Sequence, residues 1–324
     1  MKIYGAGMAG LLAGSALRRF SPTIHEAQQE LPNNHAALLR FRTDAASQTT
    51  RIPFKEVEVH KLISHAGKLY DKPNLKLSNM YSQKVTKKIS ERSIKSLEPV
   101  KRYIAPPDFI SQMSIGLDIQ FSSPLTKEEI VARGDGKDDP IISTIPMPVM
   151  MDLVDWPMKP DFQFATIWSV WGEIEQPETD VYHTVYFPDY LDPYYRVSIT
   201  GNQFIAEFIK DPLVHYGVNF DANMLKDLSM VLAREFGIHN LRLKNGFEVK
   251  EQKYGKLVPI DDCQRKEFIM YLTDQYGIYS LGRFATWRQL LLDDIVDDVK
   301  IIEQLIDRRD DYRRTMIGMK KPKF

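Results

Sequence analysis

The chain has 324 residues, 43% hydrophobic and 27% charged, and its 43 basic side chains balance 43 acidic ones. A net charge of zero gives no general field for nucleic acid or an anionic membrane. The single cysteine, Cys263, excludes a disulfide framework within the chain, and no apolar run reaches the ~20 residues of a membrane helix.

The first segment reads as strand, glycine turn and helix. Lys2-Ile3-Tyr4 leads into Gly5-Ala6-Gly7-Met8-Ala9-Gly10, with Gly14 one turn further on. Gly5 serves a sharp turn, Gly7 lets backbone N–H groups approach a pyrophosphate, and Gly10 lets the helix pack closely on the strand. The helix N-terminus offers unpaired N–H groups and the positive end of its dipole to phosphate. A second strand, residues 21–26, ends in Glu26, followed by Ala27, about 20 residues past the glycines, where a ribose-binding carboxylate is expected. The fourth glycine favours FAD over NAD. With a strand starting at Met1 there is no room for a signal segment, so a cytoplasmic protein is expected. The seven histidines are scattered, so no metal is expected.

Residues 31–43 hold the run Leu38-Leu39-Arg40-Phe41-Arg42-Thr43. Arg40 and Arg42 are candidates for holding an anionic substrate or a cofactor phosphate, the alternative being two solvent-facing positions on an alternating strand. His35 is a candidate general base. Residues 53–59 suggest a short strand or loop, and residues 78–95 a helix and loop. Arg92, Arg102 and Tyr103, with Lys101, form a basic-aromatic cluster: candidate contacts for a substrate phosphate, the alternative being a solvated face. Residues 116–121 predict a strand, 126–130 a helical turn, and 141–148 a buried strand running into a proline loop.

The middle changes character. Residues 162–174, 181–188 and 194–209 are rich in aromatic and β-branched side chains and predict antiparallel strands. Residues 223–236 predict an amphipathic covering helix stopped by Gly237. The last third returns to α/β form, with a helix over 262–274, a strand over 277–283 and a long helix over 289–306. Residues 307–324 read as a frayed, solvated end. Between that last strand and helix, Gly282-Arg283 and Trp287-Arg288-Gln289-Leu290 form a second entrance: Arg283 is placed to pair with a pyrophosphate and Trp287 to stack on a planar ring, unless this is an ordinary strand-to-helix turn.

These motifs resemble flavoproteins of the amine oxidase and UDP-galactopyranose mutase type. Gly282-Arg283-Phe284-Ala285-Thr286-Trp287-Arg288, followed by Asp293 and Asp294, is similar to the mutase signature G-R-L-G-x-Y-K/R-Y-x-D-M. Ser143-Thr144-Ile145-Pro146 resembles the S-T-x-P strand that returns to the FAD domain, and Tyr254 with Pro259 resembles the segment before the C-terminal FAD element. Leu39 stands where mutases carry a histidine, and Asn33-Asn34 where the family has paired glycines. Several segments also resemble bacteriophage-encoded members.

The resemblance implies an α/β chain with a Rossmann-like FAD-binding domain, discontinuous over residues 1–155 and 250–324, and an antiparallel-sheet substrate domain over 156–249. FAD would contact the residues of the Gly5–Gly10 turn, Glu26, Ala27, Leu39, Arg40, Thr144, Gly282, Arg283 and residues 287–290, with NAD or NADP as a possible reductant. Arg42, Arg92, Arg102 and Tyr103 would bind substrate, with His35, Arg42 and Tyr254 as catalytic candidates. The expected activity is an FAD-dependent oxidoreductase acting on a small polar substrate by hydride transfer. The alternatives are a non-redox mutase acting on a nucleotide sugar, and a silent dinucleotide-binding module, possibly in nucleic-acid modification machinery.

Overall fold

The computed structural model describes residues 1–31, 40–89, 94–133, 139–175, 182–209 and 222–319. Two sheets organise the chain. The first is parallel throughout and contains β1 (Lys2–Tyr4), β2 (Thr23–His25), β7 (Asp118–Gln120), β8 (Ile141–Ser143) and β14 (Ile278–Ser280) in the order β14-β8-β1-β2-β7. Its short strands carry Ile3, Ile24, Ile141, Ile142 and Ile278, all buried, as a sheet covered on both faces requires. On one face lie α1 (Met8–Ala16), α2 (Ala45–Thr50), α4 (Phe109–Ser114) and α9 (Leu292–Met319), packed through Leu11, Leu12, Phe109, Ile295 and Val299. On the other lie α5 (Lys127–Ala132), α6 (Met147–Leu153) and α8 (Asp262–Tyr276), packed through Ile130, Met150, Phe268 and Leu272. The strand order reverses at β1: β2 lies on one side, β8 and β14 on the other. That switch point opens a crevice at the carboxyl ends of β1 and β8, where ligands of such sheets sit.

The second sheet is larger. It contains β3 (Arg40–Phe41), β4 (Lys55–His65), β5 (Lys68–Tyr70), β6 (Val100–Ile104), β9 (Phe164–Ile174), β10 (Tyr182–Tyr186), β11 (Tyr194–Thr200), β12 (Gln203–Ile209) and β13 (Leu243–Leu257), in the order β13-β9-β12-β11-β10-β4-β6-β3 with β5 beside β4. It is mixed, because β4 and β10 pair in parallel while the other pairs are antiparallel. It also draws strands from residues 40–104, outside the 156–249 span expected to hold it. One face packs on α7 (Ala222–Phe236) through Leu228, Val231 and Leu232, against Val185, Val197 and Phe208. Part of the opposite face is covered by α3 (Leu75–Thr86) through Leu77, Tyr81 and Val85.

The sheet curls on itself. β3 and β11 are four strands apart in its order, about 19 Å at the usual spacing, yet the Arg40 guanidinium on β3 reaches Thr200 Oγ1 on β11 at 2.8 Å. An arginine side chain spans far less than that, so the face carrying Arg40 is concave.

Two element boundaries differ most from the sequence reading. The long C-terminal helix begins at Leu292 rather than 289 and continues to Met319, through a stretch read as frayed. Its start is set by Asp294, whose carboxylate accepts the N–H of Leu291 at 2.8 Å. Residues 53–59, read as a short strand or loop, lead into the eleven-residue β4 at Lys55–His65. No helix among the described residues is long and apolar enough to cross a membrane.

Candidate functional site

The glycine turn lies at the switch point. Gly5 has φ +100°, and a Cβ there would sit 2.1 Å from Thr144 Oγ1. A Cβ on Gly10 would sit 1.9 Å from the Gly5 carbonyl oxygen, and one on Gly14 2.8 Å from Ile24 Cδ1. Those three glycines serve close packing of α1 on its sheet. Gly7 is different: its φ of −69° suits any residue, and a Cβ there would meet nothing within 4 Å. Gly7 is the N-cap of α1, no side chain caps this end, and no acid occupies the first turn. Among the described residues, no side chain meets the N–H groups at the start of this helix and none fills the space beside Gly7.

Glu26 leans over this turn. Its Oε2 accepts from Ala6 N at 2.6 Å and its Oε1 from Gln28 N at 2.9 Å. A carboxylate with two acceptor oxygens keeps lone pairs for further donors after these two bonds. Exposed Ala27 follows it. Thr144, at the end of β8, donates its hydroxyl to Tyr4 O at 2.9 Å and holds the strand end beneath the turn. The C-terminal entrance arrives beside it: Gly282 has φ +91°, and a Cβ there would lie 2.9 Å from Ala9 Cβ. Chain residues 5–10, 26, 144 and 282 thus meet at one edge of the parallel sheet.

Among the residues after Gly282, Trp287 does not take the role expected from sequence. Residues 283–287 form a turn, not a helix entrance. Trp287, with φ +45°, is buried and packs on Phe162, Phe164 and Tyr254, and its indole N–H donates to Val258 O at 3.0 Å. Buried among these rings, it is not a free stacking platform. Tyr254 belongs to the same aromatic group. Arg283 donates to Gly255 O at 2.8 Å, Arg288 pairs with Asp298, and Gln289 reaches Leu257 O, so this stretch clamps β13 to the parallel-sheet side. Leu290 is half-buried next to them.

The arginines of the 38–43 run separate. Arg42 is bound to the start of α9: its guanidinium pairs with Asp294, and Asp293 accepts the backbone N–H groups of Arg42 and Thr43, both at 3.0 Å. Arg40 points the other way, across the concave face. It donates to Thr184 Oγ1 at 2.6 Å, Thr200 Oγ1 at 2.8 Å and Ile199 O at 2.8 Å. Burial, with Arg196 and Arg102 nearby, pushes it down to about 10. Arg102 shares the Arg40 face by strand alternation, since Ile104 pairs with Arg40 and Arg102 lies two residues away. Tyr103 therefore lies on the opposite face, where it packs against the core of the parallel-sheet side. His35, Leu39 and Arg92 lie outside the described residues.

Strand register adds residues that sequence reasoning passed over. Thr184, Ser198 and Ser169 are small, polar and buried on the concave face, with half-buried Thr200, Gln203 and Trp171 around them. Deeper in, Glu207 accepts from Tyr195 Oη at 2.7 Å and pairs with Arg196. Their signal was the alternation of polar with aromatic residues in β10 to β12, legible once the inward face is known.

No protein-family model and no curated protein matches the sequence. Solved structures do match. A reduced UDP-galactopyranose mutase superposes with a TM-score of 0.68 at 13% identity, covering 94% of this chain and 93% of that one. An oxidoreductase from Methanosarcina mazei gives 0.56 at 10% identity, over 94% and 100%. A flavin-dependent brominase gives 0.53 at 13% identity, over 94% and 79%. The chain shares its fold with these enzymes. The likeness to flavoproteins of the mutase and oxidase type, first visible in the glycines and the Ser143-Thr144 strand, holds through the whole architecture: a Rossmann-like parallel sheet joined to a curled mixed sheet.

Proposed function

We propose that this chain is an FAD-dependent oxidoreductase that transfers hydride to or from a small polar substrate held against the concave face of the mixed sheet. The observation that carries the reading is Gly7. Its missing Cβ is unexplained by backbone conformation or by packing among the described residues, which leave space over the N-terminus of α1. A pyrophosphate fits such a place, since it takes N–H donors and the positive dipole end together. Glu26 at the end of β2, its carboxylate already oriented by Ala6 N, fits ribose hydroxyls, and a carboxylate there disfavours the 2′-phosphate of NADP. The residues present therefore fit a flavin dinucleotide.

The bound flavin supplies two-electron chemistry; the chain binds, orients and screens. Gly5 and Gly10 set the turn, and Thr144 fixes β8 against it. Asp293 ties the end of β3 to α9 through two backbone N–H groups, holding the Arg40–Arg42 segment between the two sheets. Thr184, Ser198 and Thr200 give the substrate face neutral hydrogen-bonding walls, and the Arg196–Glu207 pair adds no net charge.

The test is purification followed by anaerobic titration. A yellow protein that releases FAD on denaturation, and whose flavin colour bleaches with NADH, NADPH or a substrate and returns with oxygen, supports the reading. Turnover only after prior reduction, with affinity for a nucleoside diphosphate, would favour the mutase chemistry. A colourless protein that takes up NADH but not FAD would overturn the assignment.

A further inference from the structure

The mixed sheet carries a recess on the face turned away from Arg40. Along β10 to β12 the side chains alternate: Thr184, Ser198 and Glu207 share the Arg40 side, while Val185, Val197 and Phe208 face α7. On the α7 side a half-open cavity of about 500 Å³ lies between that helix and the chain entering β11. Pro193 and Tyr194 form one wall and Met230, Val231 and Ala233 of α7 the other, so the lining is mainly apolar. The volume is that of an ordinary small-molecule site. Both walls are fixed. Lys84 donates to the carbonyls of Asp192 at 2.9 Å and Tyr194 at 2.8 Å. The helix is held by Leu228 and Leu232 in the core and by buried Glu235, which accepts from Ser64 Oγ at 2.8 Å.

Tyr194 supplies a deep polar atom. It is only 6% exposed, and its ring packs edge-on against Phe187 and Phe208 at 4.6 and 6.1 Å. Burial pushes the phenol well up, and no hydrogen bond among the described residues offsets that. Buried tyrosine hydroxyls ordinarily find a partner. This one has none among the described residues and is not sealed inside protein, so it opens to the recess that Tyr194 lines. At the mouth, Asp227 and Arg234 carry opposite charges beside His239, and Arg234 Nε is already taken by Glu235 at 2.6 Å. The Met230 thioether adds a group that favours aromatic rings.

We propose that this recess binds a small, uncharged aromatic molecule of one or two rings, whose single hydroxyl meets Tyr194 Oη while its rings lie between Pro193 and Met230. The site is separate from the glycine turn and the concave face, and the inference does not rest on the flavin reading. A charged ligand is disfavoured because Asp227 and Arg234 offer it a like charge as well as an unlike one.

The experiment titrates the full chain, labelled with ¹³C at its methionine methyls, with 2-naphthol and, separately, with naphthalene. The Met230 signal is assigned from Met230→Leu, a change at an exposed position. The expected result is a saturable shift of the Met230 methyl by 2-naphthol, with naphthalene bound about fivefold more weakly for want of one neutral hydrogen bond. Tyr194→Phe removes a hydroxyl with no partner among the described residues, so it should melt with the wild type and bind the two compounds equally. The charged analogues 2-naphthoate and 2-naphthylmethylammonium should bind more weakly than 2-naphthol. A Met230 methyl unmoved up to the solubility limit of 2-naphthol overturns the inference, as does a Tyr194→Phe chain that keeps the preference for the hydroxyl. Tighter binding of either charged analogue overturns it too. Should Tyr194→Phe fail to fold, the wild type decides: equal affinities for 2-naphthol and naphthalene overturn it. If the chain takes up FAD, 2-naphthol that perturbs the flavin spectrum and leaves Met230 unmoved occupies the other site and overturns the inference without touching the flavoenzyme reading. A chain that binds no FAD yet shows the Met230 shift and the hydroxyl preference sinks that reading alone.

Discussion

At the residue scale, the glycines of the first turn divide by what a methyl group would meet. Gly10 faces the Gly5 carbonyl at 1.9 Å, so alanine there must move backbone, at about 1–3 kcal/mol. A Cβ on Gly7 would meet no described atom within 4 Å, and its φ is ordinary. Gly10→Ala should therefore lower the melting temperature of the FAD-free chain. Gly7→Val should destabilise that chain by no more than the ~1 kcal/mol of a poorer N-cap residue and cost at least ~10-fold in FAD affinity. Melting curves with and without FAD separate the two; a Gly7→Val protein that holds FAD normally would show that the space over α1 is not where the pyrophosphate lies. This turn was legible in the sequence because its logic is local: the glycine spacing, the strand before it and the acid at 26 all lie within thirty residues. Arg40 and Trp287 were not. The partners that fix them, Thr184 and Thr200 for one and Phe162 and Val258 for the other, are distant in sequence, and the turn that swings Trp287 into the core is announced by no residue type.

At the element scale, the same divide separates periodicity from pairing. The helix over 223–236 and the strands at 141–143 and 278–280 follow from apolar spacing that each segment carries alone. That β4 pairs in parallel with β10, His60 beside His183, follows from nothing in either segment, and it is this pairing that brings residues 55–65 into the mixed sheet. Pairing also explains two polar anchors. Lys84 on α3 donates to the carbonyls of Phe187, Asp192 and Tyr194 and gathers the β10–β11 loop around one ammonium group. Glu207 on β12 faces Arg196 on β11, and although burial opposes its ionisation, Arg196 and Lys256 hold its carboxyl at about 2, below the ordinary 4.5. A carboxylate depressed on folding contributes stability that is complete above the unfolded value and is lost as pH falls toward the folded one. The wild-type chain should therefore lose stability between pH 4.5 and 2 in part through this group. Glu207→Gln should flatten that portion of the curve and cost about 1–3 kcal/mol at neutral pH, because buried Tyr195 and half-buried Arg196 lose their charged partner. Denaturant midpoints across that range check both; an unaltered acid limb would assign the acid sensitivity to other carboxylates.

At the scale of the whole molecule, the two sheets are joined beside the turn proposed to hold the cofactor. Gly282 packs on Ala9, Asp293 holds the backbone of Arg42 and Thr43, and Arg283 holds the end of β13. A ligand lying across that junction binds the folded chain and not the unfolded one, so it adds RT ln(1 + [L]/Kd) to stability, about 2.7 kcal/mol at a hundredfold excess over Kd. FAD should thus raise the melting temperature by several degrees in a chain of this size, with one cooperative transition if both sheets respond. The increment discriminates by variant. Gly7→Val should lose most of it, since the defect lies in the cradle. Glu207→Gln should keep all of it from a lower starting point, because its defect lies inside the mixed sheet, with no partner shared with the cradle, and independent effects add. Equal increments in wild type and Gly7→Val would mean that FAD stabilises through some other surface. A Glu207→Gln chain that gains nothing would mean instead that the mixed sheet itself carries the cofactor contacts assigned here to the Rossmann-like edge.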